Sequence, residues 1–382
     1  MKSRICHICS GHPVDDGRVF HRDCVSLASE GYDVHLIARG EGSRPFTRKG
    51  VVVHPLPRPS NRLARIMERK AIAALAGDLE PALFHVHEPE LLGPVLARAG
   101  ARPVIWDVHE SYLEVLLDRP WIPRALRPLA RAAWDRQERI LIKRCAAIAA
   151  ATGGVAARYR SLHPDVEVIA NVPSIDPDPF DPSARRDGRT CVFTGVLADN
   201  RGLHETLRAL SLLKNRGLDV PLVIAGGPAG YAEQLLQEAS ALGIRDQVKY
   251  LGALMKEEVV GVQNSSSIGL VPHLPYGNNL RAWPVKMLEF MSVALPLVYS
   301  DLPGHAEIVA DTEAGIAVDP TNPVSIADAI ESLVKSPDTA RRMGQSGRRA
   351  VRQRLNWEAE SRKLMQLYER CLAKRPPSLV NA

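Results

Sequence analysis

Short apolar runs recur along this chain, and nearly every one ends in a polar or glycine-bearing loop. Runs of strand length lie at 4–10, 34–38, 51–55, 82–86, 103–108, 146–150 and 166–170, and again at 190–194, 220–225, 247–251 and 267–271. Helix-like stretches stand among them at 19–30, 62–75 and 205–213. Strand, loop, helix, strand is the opening of a doubly wound α/β sheet, whose ligands gather at the carboxyl ends of the strands. A chain of 382 residues is too long for one core, so two domains are expected. The Pro- and Asp-dense stretch 173–182 reads as the linker, because Pro cannot serve a central strand and biases its predecessor away from helix. The expected divisions are 1–172, a linker at 173–188, 189–355, and a last helix with its tail at 356–382.

Hydrophobic content of 45% and charged content of 24% fit an ordinary globular protein. Aromatic content of 5% leaves the cores to aliphatic side chains. The net charge of +6 suits anionic partners such as nucleotides, lipid head groups or nucleic acid, without choosing among them. Met1-Lys-Ser-Arg leads straight into a strand-like run, and no apolar run approaches membrane-spanning length, so a cytoplasmic protein is expected. Zinc comes to mind at Cys6-His7-Ile8-Cys9, with His12, His21 and Cys24 nearby. Residues three apart on a strand face opposite ways, and no second Cys-x-x-Cys follows. Buried reduced thiols and no metal are therefore expected.

The stretch 284–304 carries the most chemistry. It reads as a short helix, a turn, a short strand and a loop holding Gly304. Lys286 and Glu289 share a helix face, and Lys286 stands in the first turn, where free N–H groups and a partial positive charge suit a phosphate. The carboxylate of Glu289 suits sugar hydroxyls, because it only accepts hydrogen bonds and a ribose diol donates them. A solvated amphipathic helix is the plain alternative. Earlier, Gly195 ends a strand, and Arg201-Gly202 precedes a helix, again the form of an anion site. In the first half, two strands release His87-Glu88 and His109-Glu110 at their carboxyl ends. The first loop is polar, without the Gly-x-Gly-x-x-Gly of dinucleotide sites. Its Gly17 and Arg18 approach either a donor phosphate or an acceptor, or else form a surface loop.

Pro284, Lys286, Glu289, Phe290, Met291, Ala294, Pro296, Pro303 and Gly304 together resemble the donor-site segment of the retaining glycosyltransferases of family 4, which have the two-domain GT-B fold. The resemblance spans nearly the whole chain. It implies an acceptor-binding first domain, a nucleotide-sugar-binding second domain, and a C-terminal helix returning to the first domain. It implies diphosphate contacts by Arg201 and Lys286, with Gly195, Gly202 and Gly304 at the donor. Gly227 and Leu251 then lie against the base through main-chain groups. His109 faces the transferred sugar, while Arg18, His87 and Glu110 stand on the acceptor side. The chemistry implied is metal-independent transfer from a UDP-sugar, rather than a GDP-sugar, to a glycan, lipid-linked or small-molecule acceptor with retention of configuration. No cofactor and no nucleic acid is expected. Val196 stands where the family usually has Arg, and Arg281 where it often has a first Glu. Two other readings stay open: an epimerase or inverting transferase on the same scaffold, and a catalytically degenerate partner subunit.

The stretch 119–144 mixes Arg119, Arg124, Arg127, Arg131, Arg136, Arg139, Lys143 and Arg144 with Trp121, Ile122, Leu126, Leu129 and Trp134. Together with Arg62, Arg65, Arg69 and Lys70 it predicts either docking on an anionic membrane face or a solvated helix packed on its own sheet.

Overall fold

The computed structural model describes residues 2–110, 112–113, 122–175, 177–184, 186–280 and 282–374. Arg281, Arg119 and Trp121 lie outside the described residues, as does the side chain of Arg62. The chain packs as two units, Met1–Asn171 with Trp357–Ala382, and Val172–Asn356.

The first unit is built on eight strands: β1 (Arg4–Pro13), β2 (Asp33–Arg39), β3 (Phe46–Arg48), β4 (Val51–Leu56), β5 (Leu83–Val86), β6 (Val104–Val108), β7 (Ala147–Ala150) and β8 (Val166–Val168). Their order is β3-β4-β2-β1-β5-β6-β7-β8, parallel except for β3 against β4. Strand alternation explains its two faces. Cys6, Ile8, Phe84, Val86, Trp106 and Val108 join one buried apolar cluster. His7, His85 and Asp107 occupy the alternate positions and are also buried. Cys6 and Cys9 thus take opposite faces, and both thiols are free and buried. The helix Trp357–Ala373 belongs to this unit. Its Trp357 indole donates to Ser26 Oγ at 2.7 Å, and Glu360 accepts from the Ala170 N–H at 2.8 Å.

Two local readings change. β1 runs past residue 10 to Pro13, because a register shift between Ile8 and Pro13 lets the strand continue beside Arg39. The helix expected at 19–30 is two pieces, a π-helical turn Val19–Cys24 and an α-helix Val25–Ser29. Asp16 sets the wider start: its carboxylate accepts from the N–H groups of Arg18 and Val19, each at 2.8 Å. The His21 N–H reaches its carbonyl five residues back.

The second unit holds β9 (Cys191–Thr194), β10 (Leu222–Ala225), β11 (Val248–Tyr250), β12 (Ile268–Val271), β13 (Leu297–Ser300) and β14 (Gly315–Val318). All pairs are parallel, in the order β11-β10-β9-β12-β13-β14. The order reverses between β9 and β12, which is where a doubly wound sheet opens a crevice for ligand. In the first unit the same reversal falls between β1 and β5. Helices at Pro89–Ala99, Ala229–Ala241, Lys256–Ser265 and Pro337–Gln353 went unread in the sequence. The last of these packs against the helix Val285–Ser292 through a side of small residues, Gly344, Gly347 and Ala350.

Candidate functional site

At the carboxyl edge of the second sheet, four basic side chains converge. Lys286 stands in the first turn of the helix Val285–Ser292, and Pro284 is its N-cap rather than its first residue. The Lys286 ammonium lies against Gly195, directly after β9. Gly195 has φ +117°, and a Cβ there would collide with the ammonium. Arg201 closes the 3₁₀ turn Asp199–Arg201. Gly202, at φ +68°, then turns the chain into the helix Leu203–Asn215; a Cβ there would strike the Pro272 carbonyl oxygen. An Arg201 terminal nitrogen sits 3.4 and 3.5 Å from the ring nitrogens of His273, which follows β12. The His273 and His305 rings meet edge to face at 5.4 Å.

Among the described residues, neither Arg201 nor Lys286 forms an ion pair. Arg201 Nε and both ring nitrogens of His305 are buried without a hydrogen-bond partner. Burial lowers the pKa of Arg201. Burial also lowers that of Lys286; Glu289 opposes the shift and Arg201 adds to it. His273 is brought down to about 2 by burial and then by Arg201. His305 falls to about 4, again first through burial. Among the described residues this cluster has no carboxylate in an ion pair with its cations, which is the electrostatic form of an anion site. Glu289 is half-buried one turn beyond Lys286 and makes no ion pair among the described residues. The Gly227 carbonyl accepts from the Leu197 N–H at 2.7 Å, the Leu251 N–H donates to the Ile224 carbonyl at 2.9 Å, and Gly304 is buried in the short helix Pro303–Val309.

The first unit gathers a different set. Glu88, just past β5, accepts from the N–H groups of Ser10 (2.9 Å), Gly11 (2.7 Å) and His12 (3.2 Å), and pairs with His12 Nδ1 at 2.9 Å. Burial pushes its pKa up, but the His12 and backbone hydrogen bonds win and bring it down to about 2. Arg18 forks onto Asp107, with Nη2 at 3.0 and 3.1 Å from the two oxygens, and donates from Nη1 to the Ile169 carbonyl at 2.9 Å. Burial opposes the charge on Asp107, yet Arg18 and His109 hold this carboxyl well below the usual range.

His87 Nδ1, His109 Nε2 and Asp107 Oδ2 stand together: His87 to His109 is 3.2 Å, His87 to Asp107 3.4 Å, and His109 to Asp107 3.2 Å. The other nitrogen of His87 meets His7 Nδ1 at 3.0 Å, and His7 Nε2 meets the Tyr368 hydroxyl at 3.0 Å. That hydroxyl also bonds His85 Nδ1. Burial lowers the pKa of His7, His85 and His87.

These positions revise the acceptor-side expectations for two residues. Arg18 is buried with its guanidinium engaged by Asp107 and Ile169, and His87 is fully buried among side chains, so each supports the site from behind. His109 is half-buried, with 19% of its side chain exposed; Glu110 is half-buried, and Gly17 lies exposed in its loop. His7, His85, Asp107, His273 and His305 were missed. The alternation of His7 and His85 with core residues was the available signal for the first two.

The two sheets and their carboxyl-edge clusters define an α/β enzyme of the GT-B type. Two family models match end to end, Glycosyltransferase Family 4 over residues 17–175 and Glycosyl transferases group 1 over residues 174–350. The chain belongs to these glycosyltransferases. It is 26% identical, over 86% of its length and 85% of the other's, to the GDP-mannose-dependent alpha-(1-6)-phosphatidylinositol monomannoside mannosyltransferase of Mycolicibacterium smegmatis. It is 26% identical, over 66% of each chain, to the alpha-D-kanosaminyltransferase of Streptomyces kanamyceticus. Among solved structures, sucrose-phosphate synthase from Thermosynechococcus elongatus shares the fold with TM-score 0.75 and 18% identity, covering 97% of this chain and 100% of that one. A glycosyltransferase from Rickettsia africae does so with TM-score 0.76 and 15% identity, covering 98% and 99%.

Proposed function

We propose that this glycosyltransferase moves a sugar from a nucleotide diphosphate sugar held by the second unit to an acceptor held by the first, with retention of configuration. The observation that carries the reading is the pair Arg201 and Lys286, half-buried over Gly195 and Gly202 without a carboxylate partner. As the glycosidic bond breaks, negative charge grows on the diphosphate, and these two cations oppose it without a divalent ion on the phosphates. Glu289 accepts from the ribose hydroxyls, Gly304 lies at the phosphates, and Gly227 and Leu251 line the base. His109 faces the transferred sugar. Asp107 and His87 fix its ring, and Glu110 borders the acceptor. Retention proceeds by same-face return, with the donor phosphate assisting removal of the acceptor proton.

The donor is a UDP-sugar in this reading; the mycobacterial relative, named as GDP-mannose-dependent, makes the guanosine analogue the rival. That relative acts on a phosphatidylinositol monomannoside, which supports a lipid-linked acceptor here. No helix among the described residues is long and apolar enough to cross a membrane. A peripheral site on the cytoplasmic face is supported by Leu63 (66% exposed) and Met67 (73%) on the helix Arg62–Asp78, and Leu129 (68%) on the helix Arg127–Ile142, set among basic residues. The test is transfer by the purified chain from UDP- and GDP-sugars, with the product anomer read by NMR. An inverted product overturns retention, and absence of transfer or donor hydrolysis with every donor favours the degenerate subunit. Equal, negligible sedimentation with anionic and neutral vesicles removes the membrane face.

A further inference from the structure

Arg201 is aimed by its backbone rather than by partners of its side chain. Among the described residues its guanidinium forms no ion pair, and its Nε is buried without a hydrogen-bond partner. The distances from Nη1 to the two His273 ring nitrogens, 3.4 and 3.5 Å, are too long and too even for one directed hydrogen bond. What fixes the residue is the peptide plane in front of it. On one side of that plane the Arg201 N–H donates to the Ala198 carbonyl at 3.0 Å. On the other side the Asn200 carbonyl accepts twice, from the Leu274 N–H and from the Asn279 side-chain amide, each at 3.1 Å.

The Asn279 amide nitrogen makes a second bond, to the Leu274 carbonyl at 2.9 Å. Both acceptors are carbonyl oxygens, so the nitrogen must face them; the flipped amide would set its oxygen against both. Asn279 is buried in the 3₁₀ turn Gly277–Leu280, and its own N–H donates to the Tyr276 carbonyl at 3.1 Å. One buried amide thus gives its two hydrogens to two loops. The first is the turn Asp199–Arg201 after β9, and the second is the segment after β12 that carries His273. Two further features show how closely these loops are set. A Cβ on Gly202 would strike the Pro272 carbonyl oxygen, and the buried Ser300 hydroxyl at the end of β13 donates to the His273 carbonyl at 2.7 Å.

We propose that Asn279 is a positioning residue of the transferase: it locks the two loops together and so holds the Arg201 guanidinium, in advance of the donor, where the diphosphate needs it. This rests on the reading of Arg201 as a diphosphate contact. A cation fixed in advance opposes growing negative charge without reorganising as the glycosidic bond breaks. A loosened turn has to be ordered by the ligand, at a cost in affinity. The fold itself should survive loss of the amide, because each acceptor keeps another donor. The Asn200 carbonyl keeps the Leu274 N–H, and the Leu274 carbonyl keeps the Tyr276 N–H at 2.8 Å.

The experiment is a double-mutant cycle on the full chain, read by isothermal titration with UDP and with GDP. Asn279→Ala is made alone and together with Arg201→Ala, and Leu280→Ala, at an exposed position of the same turn, is the control. Thermal midpoints confirm that each variant is folded; where Asn279→Ala is not, Asn279→Ser carries the same cycle. Asn279→Ala should weaken the nucleoside diphosphate about tenfold, within the range for residues that act through one another, and Leu280→Ala should leave it unchanged. In the Arg201→Ala background the same substitution should cost less than about twofold, because the group it positions is gone. An unchanged Kd in Asn279→Ala, or an equal loss in both backgrounds, overturns the proposal and leaves the diphosphate reading intact. No binding of UDP or GDP by the wild-type chain, or an unchanged Kd in Arg201→Ala, overturns that reading and the proposal with it.

Discussion

The two sheets end in polar clusters of opposite character. In the first unit the charges at the sheet's carboxyl edge are paired with one another: Arg18 with Asp107, Glu88 with His12 and three backbone N–H groups, Arg65 with Glu90; nearby, Asp23 is buried without a hydrogen-bond partner, and burial raises its pKa to about 8. In the second unit Arg201, Lys286, His273 and His305 converge without a carboxylate in an ion pair among the described residues. One cluster is stabilised by its own contacts. The other is an electrostatic half, completed by an anion. Removing a charge should therefore have opposite consequences for folding in the two units.

The largest expected effect is in the first. Asp107→Asn leaves the Arg18 guanidinium buried against a neutral amide, and breaking a buried pair in this way should cost about 3–5 kcal/mol of stability. Denaturant unfolding measures it. A loss below about 1 kcal/mol would mean that the first cluster is not held by its charges.

The second unit should behave in reverse. Lys286→Ala or Arg201→Ala removes a desolvated cation that lacks a partner, so stability should hold or rise. Turnover should fall about 10²–10³-fold, the usual cost of removing one group that stabilises transition-state charge. Steady-state rates beside thermal midpoints test both halves of the statement. Near-normal turnover in both variants would remove the diphosphate assignment. A nucleoside diphosphate at 100 times its Kd should then stabilise the wild-type chain by about 2.7 kcal/mol, and Lys286→Ala far less at the same concentration. A thermal-shift series with UDP and GDP reads this and chooses the base.

The contrast was only half legible in the sequence. Lys286, Arg201 and Gly195 could be found because local rules make anion sites from helix starts, cations and glycine turns. That Gly195 is bare to admit the Lys286 ammonium required the fold, since the two are far apart in sequence. The first cluster was harder. His7, His85 and Asp107 each sit inside an apolar strand, and which face of a sheet a buried residue takes depends on what packs there. Tyr368 reaches them from the C-terminal helix, a pairing across 361 residues with His7 that no local pattern encodes. Arg18 was read as approaching a donor phosphate or an acceptor, or else as part of a surface loop, because a polar loop suggests an open setting; the π-helical turn after it draws the side chain inward. The helix Pro337–Gln353 escaped notice because its buried side is built from Gly344, Gly347 and Ala350, which carry little hydropathy.

The smallest expected effect is a pH dependence that belongs to the second cluster. His305 is buried with neither ring nitrogen paired, and its pKa falls to about 4 from an ordinary 6.5. In the unfolded chain the ring takes up a proton as pH drops below 6.5; in the folded chain it resists until about 4. The unfolded state thus binds more protons across that window, so stability falls as pH falls from 6.5 towards 4 and is constant above it. Between pH 6.5 and 4.5 roughly 2–3 kcal/mol is at stake for this ring, since each tenfold change in proton affinity is worth about 1.4 kcal/mol and that interval spans two of them. His7 and His85 in the first unit give a slope of the same sign, so the informative quantity is a difference. His305→Phe keeps the ring volume and removes the titration. Its stability should fall less steeply than wild type between pH 6.5 and 4.5, with the two curves parallel above pH 7. Saturating nucleoside diphosphate should flatten the wild-type curve in the same window, because a nearby anion favours the protonated ring. Parallel curves throughout would show that the neutral His305 ring is not a feature the anion pocket imposes, and the contrast between the two clusters would then rest on Arg201 and Lys286 alone.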